Sequence, residues 1–505
     1  MRSKNKIIIF VVIIIFIIIN FIRINNFIRV NNFISVNNIE KFENIINNNN
    51  HFKIIVVTYN PGVNFLKACL RSIEKQLYNN YDVCIIDDAS TKKSDLILNL
   101  LKEYKEKYNW KYLQSKINYG PCYSRNKAIE ILNPQKNDII VCIDGDDELY
   151  NEIVLDKLND YYSDKKLLLT FGNYVDKHKN GVVKDNMRIK FRKGEIDNLI
   201  KKKNYRKYRF AFSHLKTFKF KLYNRIDKED LKKNGEFIRS STDIAIMLPM
   251  LEMAGKNIKF INDKLYKYTI DHQESFHTNI NRKKKQKAND NYIRSLDMYE
   301  EVNFDKLFFI HIPKNAGTSI EYISKKNNIL WGKDYQFNLT ENEIENLVEN
   351  KSIWHVPPKY LPADNNPYKK YINFAIIRNP YHRIISEYKY YKNIENIKDY
   401  NINIFIKDIY HKYKENKSYY GCHFIPQSEF IYGYPKCDEI LRFENLDSDF
   451  YNLLNKYKYP QMKLPQKNKS YGNTTIDSLN KDSIEIINKM YKDDFENFGY
   501  DKIKI

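Results

Sequence analysis

No Cys-x-x-Cys pair occurs anywhere in this chain, so its six cysteines do not spell a zinc site. Cys84 and Cys142 sit in apolar strand patterns, where a free thiol behaves as a small hydrophobe. A bridge between Cys422 and Cys437 in an oxidising lumen stays open. Equally missing are zinc-finger spacing, an RNP-type motif and a heptad-linked basic region, which leaves nucleic acid without a recognisable reader. That absence matters because the net charge is +22, from 84 basic and 62 acidic residues. The excess has two readings. One is attraction to anions such as nucleotides or a membrane surface; the other is a composition rich in Lys, Asn, Ile and Tyr throughout. Wholesale disorder is excluded by 43% apolar and 14% aromatic content, and 505 residues give room for two or three domains.

The N-terminus also lacks something: no small-residue cleavage site follows its apolar run. Arg2, Lys4 and Lys6 precede Ile7 to Ile19, and Phe21 and Ile22 extend the run past Asn20. As a helix it is roughly 24 Å long, slightly short for a bilayer. An uncleaved signal anchor over residues 1–22 is the expectation, with a cleaved signal peptide as its competitor. Basic residues lie on both sides, but the leading cluster favours a cytoplasmic N-terminus and a luminal remainder: a single-pass type II membrane protein of the Golgi or ER. The repeats NFIRIN, NFIRVN and NFISVN and an Asn-rich run follow. Three six-residue copies cannot bury a core, so residues 23–50 read as a low-complexity stem.

From residue 51 the pattern changes. Lys53 to Thr58 and Tyr81 to Ile86 are apolar strands, Tyr112-Leu113 begins another, and Ile139 to Ile143 is a fourth. Helical spacing fills the intervals at Phe65 to Leu77, Asp95 to Tyr108 and Ser124 to Leu132. This alternation predicts a mostly parallel α/β sheet covered on both faces. Ligands of such sheets lie beyond the carboxyl ends of the strands. The polar breaks Thr58-Tyr59-Asn60, Asp87-Asp88 and Asp144 to Asp147 fall at those ends. Three carboxylates in four positions repel one another. A divalent cation shared with a diphosphate would justify them; a solvated acidic turn is the bland alternative.

The ordered segments VVTYNPG, IIDDAS, NYGPCYSRNKA and IDGDD resemble family 2 glycosyltransferases of the GT-A, Rossmann-like fold. The resemblance spans about Phe52 to His277 and implies a domain over 51–280. It implies a nucleotide-sugar donor, a UDP-sugar first, with Mg²⁺ or Mn²⁺ as the metal. Tyr59 would stack on the base and Asp88 would hydrogen-bond it. Asp144 and Asp146 would form the Asp-x-Asp pair meeting ribose and metal, with Asp147 beside them. Arg125 would orient the donor-side loop. Ser241-Thr242-Asp243 stands where the family has Glu-Asp. Asp243 would be the base of an inverting reaction, taking the proton of the acceptor hydroxyl, or else simply a helix N-cap. His272 and His277 close the domain as surface histidines or phosphate and metal contacts. The chain has neither the Gln-x-x-Arg-Trp of processive synthases nor a C-terminal bundle of membrane helices, so single addition fits better than polymerisation.

Asn281 to Asn291 is strongly basic and reads as a solvated linker or helix end, within a linker over 281–303. Lys306 to Ile312 is then a strand, followed by Pro313-Lys314-Asn315-Ala316-Gly317-Thr318-Ser319 and a helix. Such a turn presents free N–H groups and a helix dipole to a phosphate. It is not a P-loop of the NTPase kind: the first glycine is missing and Lys314 precedes Gly317 instead of abutting the hydroxyl. The order resembles the 5′-phosphosulfate loop of PAPS-dependent carbohydrate sulfotransferases. A strand over Tyr371 to Ile377 followed by RNPYHRIISEY resembles that family's 3′-phosphate site. The likeness covers about Lys306 to Asp501, a P-loop-like α/β domain over 304–505. It implies PAPS held by Lys314, Asn315, Gly317, Thr318, Ser319, Arg378 and Ser386. Lys314 would meet the leaving phosphate, and His355 in Trp354-His355-Val356-Pro357 would be the base or a structural histidine. HFIPQSEFI and RFENL resemble later family segments, and Pro465 to Ser470 a loop over the adenine.

The expectation is therefore a bifunctional, membrane-anchored enzyme acting on a carbohydrate acceptor, with no nucleic-acid partner. Tethering would raise the local concentration of the first product at the second site. The alternative is that one half has lost turnover and only binds or positions a glycan.

Overall fold

The computed structural model describes residues 49–178, 180–184, 187–270, 280–394, 400–465 and 473–504. The expected anchor, nearly all of the stem, His272, His277 and most of the adenine loop after Pro465 lie outside them. No helix among the described residues is long and apolar enough to cross a membrane. From His51 onward the chain forms one compact unit.

Its first half is built on β1 (Phe52–Thr58), β2 (Tyr81–Asp87), β3 (Lys111–Gln114) and β4 (Ile139–Asp144), all mutually parallel in the order β3-β2-β1-β4. Every residue of β1 is buried, because helices cover both faces and leave no side for polar alternation. The covering helices include α1 (Val63–Glu74), α2 (Ser94–Tyr108) and α3 (Pro121–Leu132). Helix α3 begins earlier than helical spacing suggested, because Pro121 suits the first helical position. Beyond β4 the sheet is mixed. β5 (Glu148–Leu149), β6 (Leu169–His178), β7 (Val183–Lys184), β8 (Lys216–Lys219) and β11 (Ile258–Ile270) continue it, and β8 runs antiparallel to β4. A small hairpin of β9 (Lys232–Lys233) and β10 (Glu236–Phe237) precedes α4 (Thr242–Ala254). The basic run expected as linker lies in helix α5 (Ile280–Ser295), which buries Ile293 in the first core.

The second half carries a three-stranded parallel sheet, β12 (Asn303–Ile310), β13 (Tyr371–Ile377) and β14 (Glu439–Arg442). Helix α6 (Gly317–Lys326) follows β12, and α7 (Pro380–Ile394) follows β13. Cys422 and Cys437 are both buried free thiols, so the bridge left open above is not formed.

The two halves are docked, not strung on a flexible tether. Arg225, only 3% exposed, reaches from the first half into the second. It donates to the carbonyls of Tyr368 (3.3 Å) and Tyr371, and pairs with Asp438 at 3.0 Å. Lys136 pairs with Glu439 and donates to the Asp438 carbonyl at 2.8 Å. Phe304 packs against both cores, and Tyr434 packs edge-on to Tyr299.

Candidate active sites

The acidic cluster forms where β1 and β4 end together. Val57 pairs with Asp144, and Gly145 packs so tightly on Thr58 that a Cβ would lie 2.6 Å from its side chain. Asp147 turns inward; its Oδ1 accepts from the Thr269 N–H at 2.7 Å. Its Oδ2 is buried with no hydrogen-bond partner. Burial, and then the carboxylates of Asp146 and Asp144, push Asp147 well above the ordinary carboxylate range. A buried carboxylate oxygen left without a donor fits a cation.

The geometry groups Asp144 and Asp147 with His214, each offering a ligand atom within 4.8 Å of the others. Asp146, expected as a ligand, is not in this trio; its carbonyl accepts from the Thr269 hydroxyl. His214 was not expected at all. It stacks on Tyr266 at 4.6 Å, and burial, then the Lys216 ammonium, push its imidazole down to about 3. A neutral imidazole is the metal-binding form.

Arg125 and Lys216 knit the cluster together. Arg125 donates to Asp144 (2.7 Å) and to the Thr242 hydroxyl (2.7 Å), and pairs with Asp243 at 3.1 Å. Lys216 donates to the other Asp243 oxygen at 2.9 Å and lies 3.3 Å from His214 Nδ1. Asp243 stands in the first turn of α4, but its side chain does not cap the helix. Burial alone would raise its pKa; Lys216 and then Arg125 override this and hold it below the usual range. Tyr59 is 45% exposed, open for stacking. Asp88 is buried, and its two oxygens accept the N–H groups of Tyr119 (2.9 Å) and Gly120 (2.7 Å). Its visible work is to shape the loop ahead of α3.

The second site forms beyond β12 and β13. Lys314 and Ala316 both adopt left-handed backbone, φ 67° and 62°, a conformation that can turn neighbouring backbone N–H groups toward an anion. Gly317 must lack a side chain, because a Cβ there would lie 1.9 Å from His311 Nε2. Asn315 is buried and looks inward, donating to the Ile376 carbonyl (2.6 Å) and Gln427 (2.7 Å). Gln427 also accepts from the Arg378 N–H at 2.8 Å and donates to the Arg378 carbonyl at 2.8 Å. Asn315 and Gln427 thus tie the turn after β12 to the turn after β13, a role motif reading missed.

Lys314, Thr318, Ser319, Arg378, Ser386 and His355 line one cavity of about 1700 Å³. The Arg378 guanidinium lies 4.0 Å over Phe443, and its Nε is buried without a partner, as a donor awaiting an anion would be. Burial pulls Arg378 down to about 10. Lys314 Nζ sits 3.7 Å over the Tyr390 ring. His355 packs edge-on against His311 (4.5 Å) and His423 (4.9 Å). Its Nδ1 is buried without a partner, and burial, then His311 and His423, hold it well below the ordinary histidine range.

Comparison with known proteins identifies both halves. Residues 53–228 match the family model for glycosyl transferase family 2, and residues 302–501 match that for the sulfotransferase family. The chain therefore joins a family 2 glycosyltransferase domain to a sulfotransferase-family domain. An uncharacterized glycosyltransferase of Haemophilus influenzae is 31% identical over 122 residues, 24% of this chain and 46% of that protein. The teichoic acid poly(glycerol phosphate) polymerase of Staphylococcus epidermidis is 24% identical over 153 residues, 30% of this chain and 20% of that one. The chain thus spans under half the length of these curated relatives. Among solved structures, S. aureus TarS 1-349 in complex with UDP-GlcNAc aligns at 20% identity and TM-score 0.35, over 45% of this chain and 61% of that one. The mannosyltransferase PcManGT from Pyrobaculum calidifontis, in complex with GDP-Man and Mn²⁺, aligns at 17% identity and TM-score 0.32, over 49% and 65%.

Proposed function

We propose that the chain is a bifunctional glycan-modifying enzyme. Its first half transfers a sugar from a nucleotide-diphosphate sugar, a UDP-sugar first, to a carbohydrate acceptor with inversion. Asp243 takes the acceptor proton, Arg125 holds Asp144 and Asp243 in register, and Tyr59 offers a face for the base. Asp144, Asp147 and His214 would hold Mg²⁺ or Mn²⁺, which supplies charge neutralisation to the departing diphosphate. The second half moves sulfate from PAPS to a carbohydrate hydroxyl. Lys314 and the 316–319 turn meet the 5′-phosphosulfate, Arg378 and Ser386 the 3′-phosphate, and a histidine of the cavity wall takes the proton. Residues 1–22 anchor the chain as a type II membrane protein facing the Golgi or ER lumen; the apolar run Ile7 to Ile19 supports this.

The observation that carries the reading is the convergence, in each half, of separately encoded motif residues on one site: the Arg125 network in the first, and the Lys314 loop and Arg378 on one cavity in the second. The test is thermal-shift binding with UDP plus Mn²⁺ and, separately, with PAP. Independent stabilisation by both supports two donor sites; stabilisation by neither rejects the reading. One observation favours a second reading, in which the first half only positions a glycan. Both oxygens of Asp243 are already held by cations, which weakens it as a base. Donor hydrolysis by the first half rejects that alternative.

A further inference from the structure

The wall of the sulfotransferase cavity carries a row of three histidines, His311, His355 and His423, and the two outer ones are backed by buried glutamates. His311 Nδ1 lies 2.6 Å from Glu321, and His423 Nδ1 lies 3.0 Å from Glu387; both glutamates are 1% exposed. His355 stands between the two histidines. The two outer pairs differ in where the second ring nitrogen goes. Nε2 of His311 is packed against Gly317. Nε2 of His423 makes no hydrogen bond among the described residues and is not buried, and His423 lines the cavity. His355 is worse placed to meet a substrate, since its Nδ1 is buried without a partner and its ring is wedged edge-on between His311 and His423.

We propose that His423, oriented by Glu387, is the base of sulfuryl transfer, a reading that rests on the PAPS assignment above. A carboxylate on Nδ1 fixes the tautomer that leaves an Nε2 lone pair, and it stabilises the imidazolium once formed. The acceptor oxygen forms its bond to sulfur. The bond from sulfur to the 5′-phosphate oxygen breaks, and its electron pair leaves on that oxygen, beside Lys314. The hydroxyl proton passes to His423 Nε2 and later to solvent. Tyr390 joins the two ends of this reaction, for Lys314 lies over its ring and His423 stacks on it at 6.2 Å. Glu387 faces both groups: burial would raise its carboxyl, and His423, then Lys314, outweigh that and hold it below the usual range. Around the imidazole stand Glu387, Tyr390 and Arg383 of α7, which donates to the His423 carbonyl, with His355, Tyr420 and Lys314.

The test uses the full chain with PAPS, following PAP release with water and a panel of free oligosaccharides as acceptors, and PAP binding by calorimetry. His423→Asn should lose at least about 100-fold in turnover, within the range a general base supplies, and keep its PAP affinity within about threefold. Glu387→Gln should lose less and move the acid limb of kcat/KM to lower pH, because the imidazolium loses its counter-charge. Glu387→Asp should restore part of both. A purely structural pair would lower activity without moving that limb. Near-normal turnover in His423→Asn, an unmoved limb in Glu387→Gln, or full loss in His355→Asn alone overturns the proposal. A wild-type chain that neither binds PAP nor releases it fails at the earlier step: the sulfotransferase reading falls, and this one with it.

Discussion

Arg225→Ala should undock the two halves while leaving each folded. Arg225 is almost fully buried, and its partners all belong to the other half: two carbonyls and the Asp438 carboxylate. Removing it takes a donor from both carbonyls; that of Tyr368 keeps the Asn373 side-chain N–H at 2.7 Å, and a buried group left unsatisfied costs about 1–3 kcal/mol. Asp438 keeps one partner, the Asn373 N–H at 2.8 Å, so its carboxylate is not abandoned. Breaking one side of a buried ion pair costs about 3–5 kcal/mol. With Asp438 still partly served, the lower end applies, about 3 kcal/mol, or roughly two powers of ten in the docking equilibrium. Arg225→Lys keeps the charge but not the fork and should fall between. Lys136→Ala should cost less, since its side chain is 38% exposed and screened. The assay is hydrogen–deuterium exchange by mass spectrometry, with scanning calorimetry. Peptides over 220–226, 368–372 and 434–439 should exchange faster, peptides over β1 and β4 should not, and one thermal transition should become two. An Arg225→Ala chain with unchanged exchange at all three faces would refute the reasoning.

Three further outcomes follow from the two sites. Lys216→Met should make the chain less acid-resistant. Asp243 has a depressed folded-state pKa, so its contribution is present above the ordinary carboxylate value and is lost only as pH falls through the lower one. Without Lys216 that loss should begin at higher pH in thermal melts between pH 3 and 6. Gly317→Ala should cost about 1–3 kcal/mol of overpacking against His311 and weaken PAP binding, and His311→Ala in the same chain should recover part of both. Asp147→Asn should abolish Mn²⁺-dependent stabilisation by UDP, read by thermal shift, and leave the PAP shift intact.

Much of this was legible because the first sheet is locally coded. The apolar runs of β1, β2 and β4 mark their own ends, and the polar breaks after them locate the first site. His214 and Lys216 were not legible. The segment KTFK of β8 reads as polar, yet all four residues are buried. Lys216 finds Asp243, and Lys219 finds the Lys165 carbonyl, only after β8 has inserted antiparallel to β4. Such partners are distant in sequence and leave no periodicity. The basic run of α5 reads as a solvated linker or helix end; it is helical with its lysines exposed, and Lys, Gln and Ala are good helix formers. In the second half the two turns expected to meet phosphate were legible from residue order. Gln427 and the Glu387–His423 pair did not, because their work is to hold groups that only the fold brings near.

The docking surface also decides how the two proposed reactions relate. On the first half it is made by Lys136, just before β4, and by the stretch after β8, whose Lys219 pairs with Ile139 at the start of β4. On the second half it is made by Tyr371 and Glu439, the first residues of β13 and β14, with Asn303 of β12 bonded to Lys370. These are the amino ends of the parallel strands in both sheets. Both candidate sites lie at the carboxyl ends: Asp144 closes β4, Lys314 follows β12 and Arg378 follows β13. The halves are therefore joined at the ends their sites do not use. Among the described residues the second cavity is lined by the second half alone, so a small glycan finished at one site is expected to pass through solvent to reach the other. With both donors present, an excess of unlabelled first product should dilute the label in the doubly modified product to the bulk ratio. Label retained above that ratio would show a handover that this arrangement does not provide.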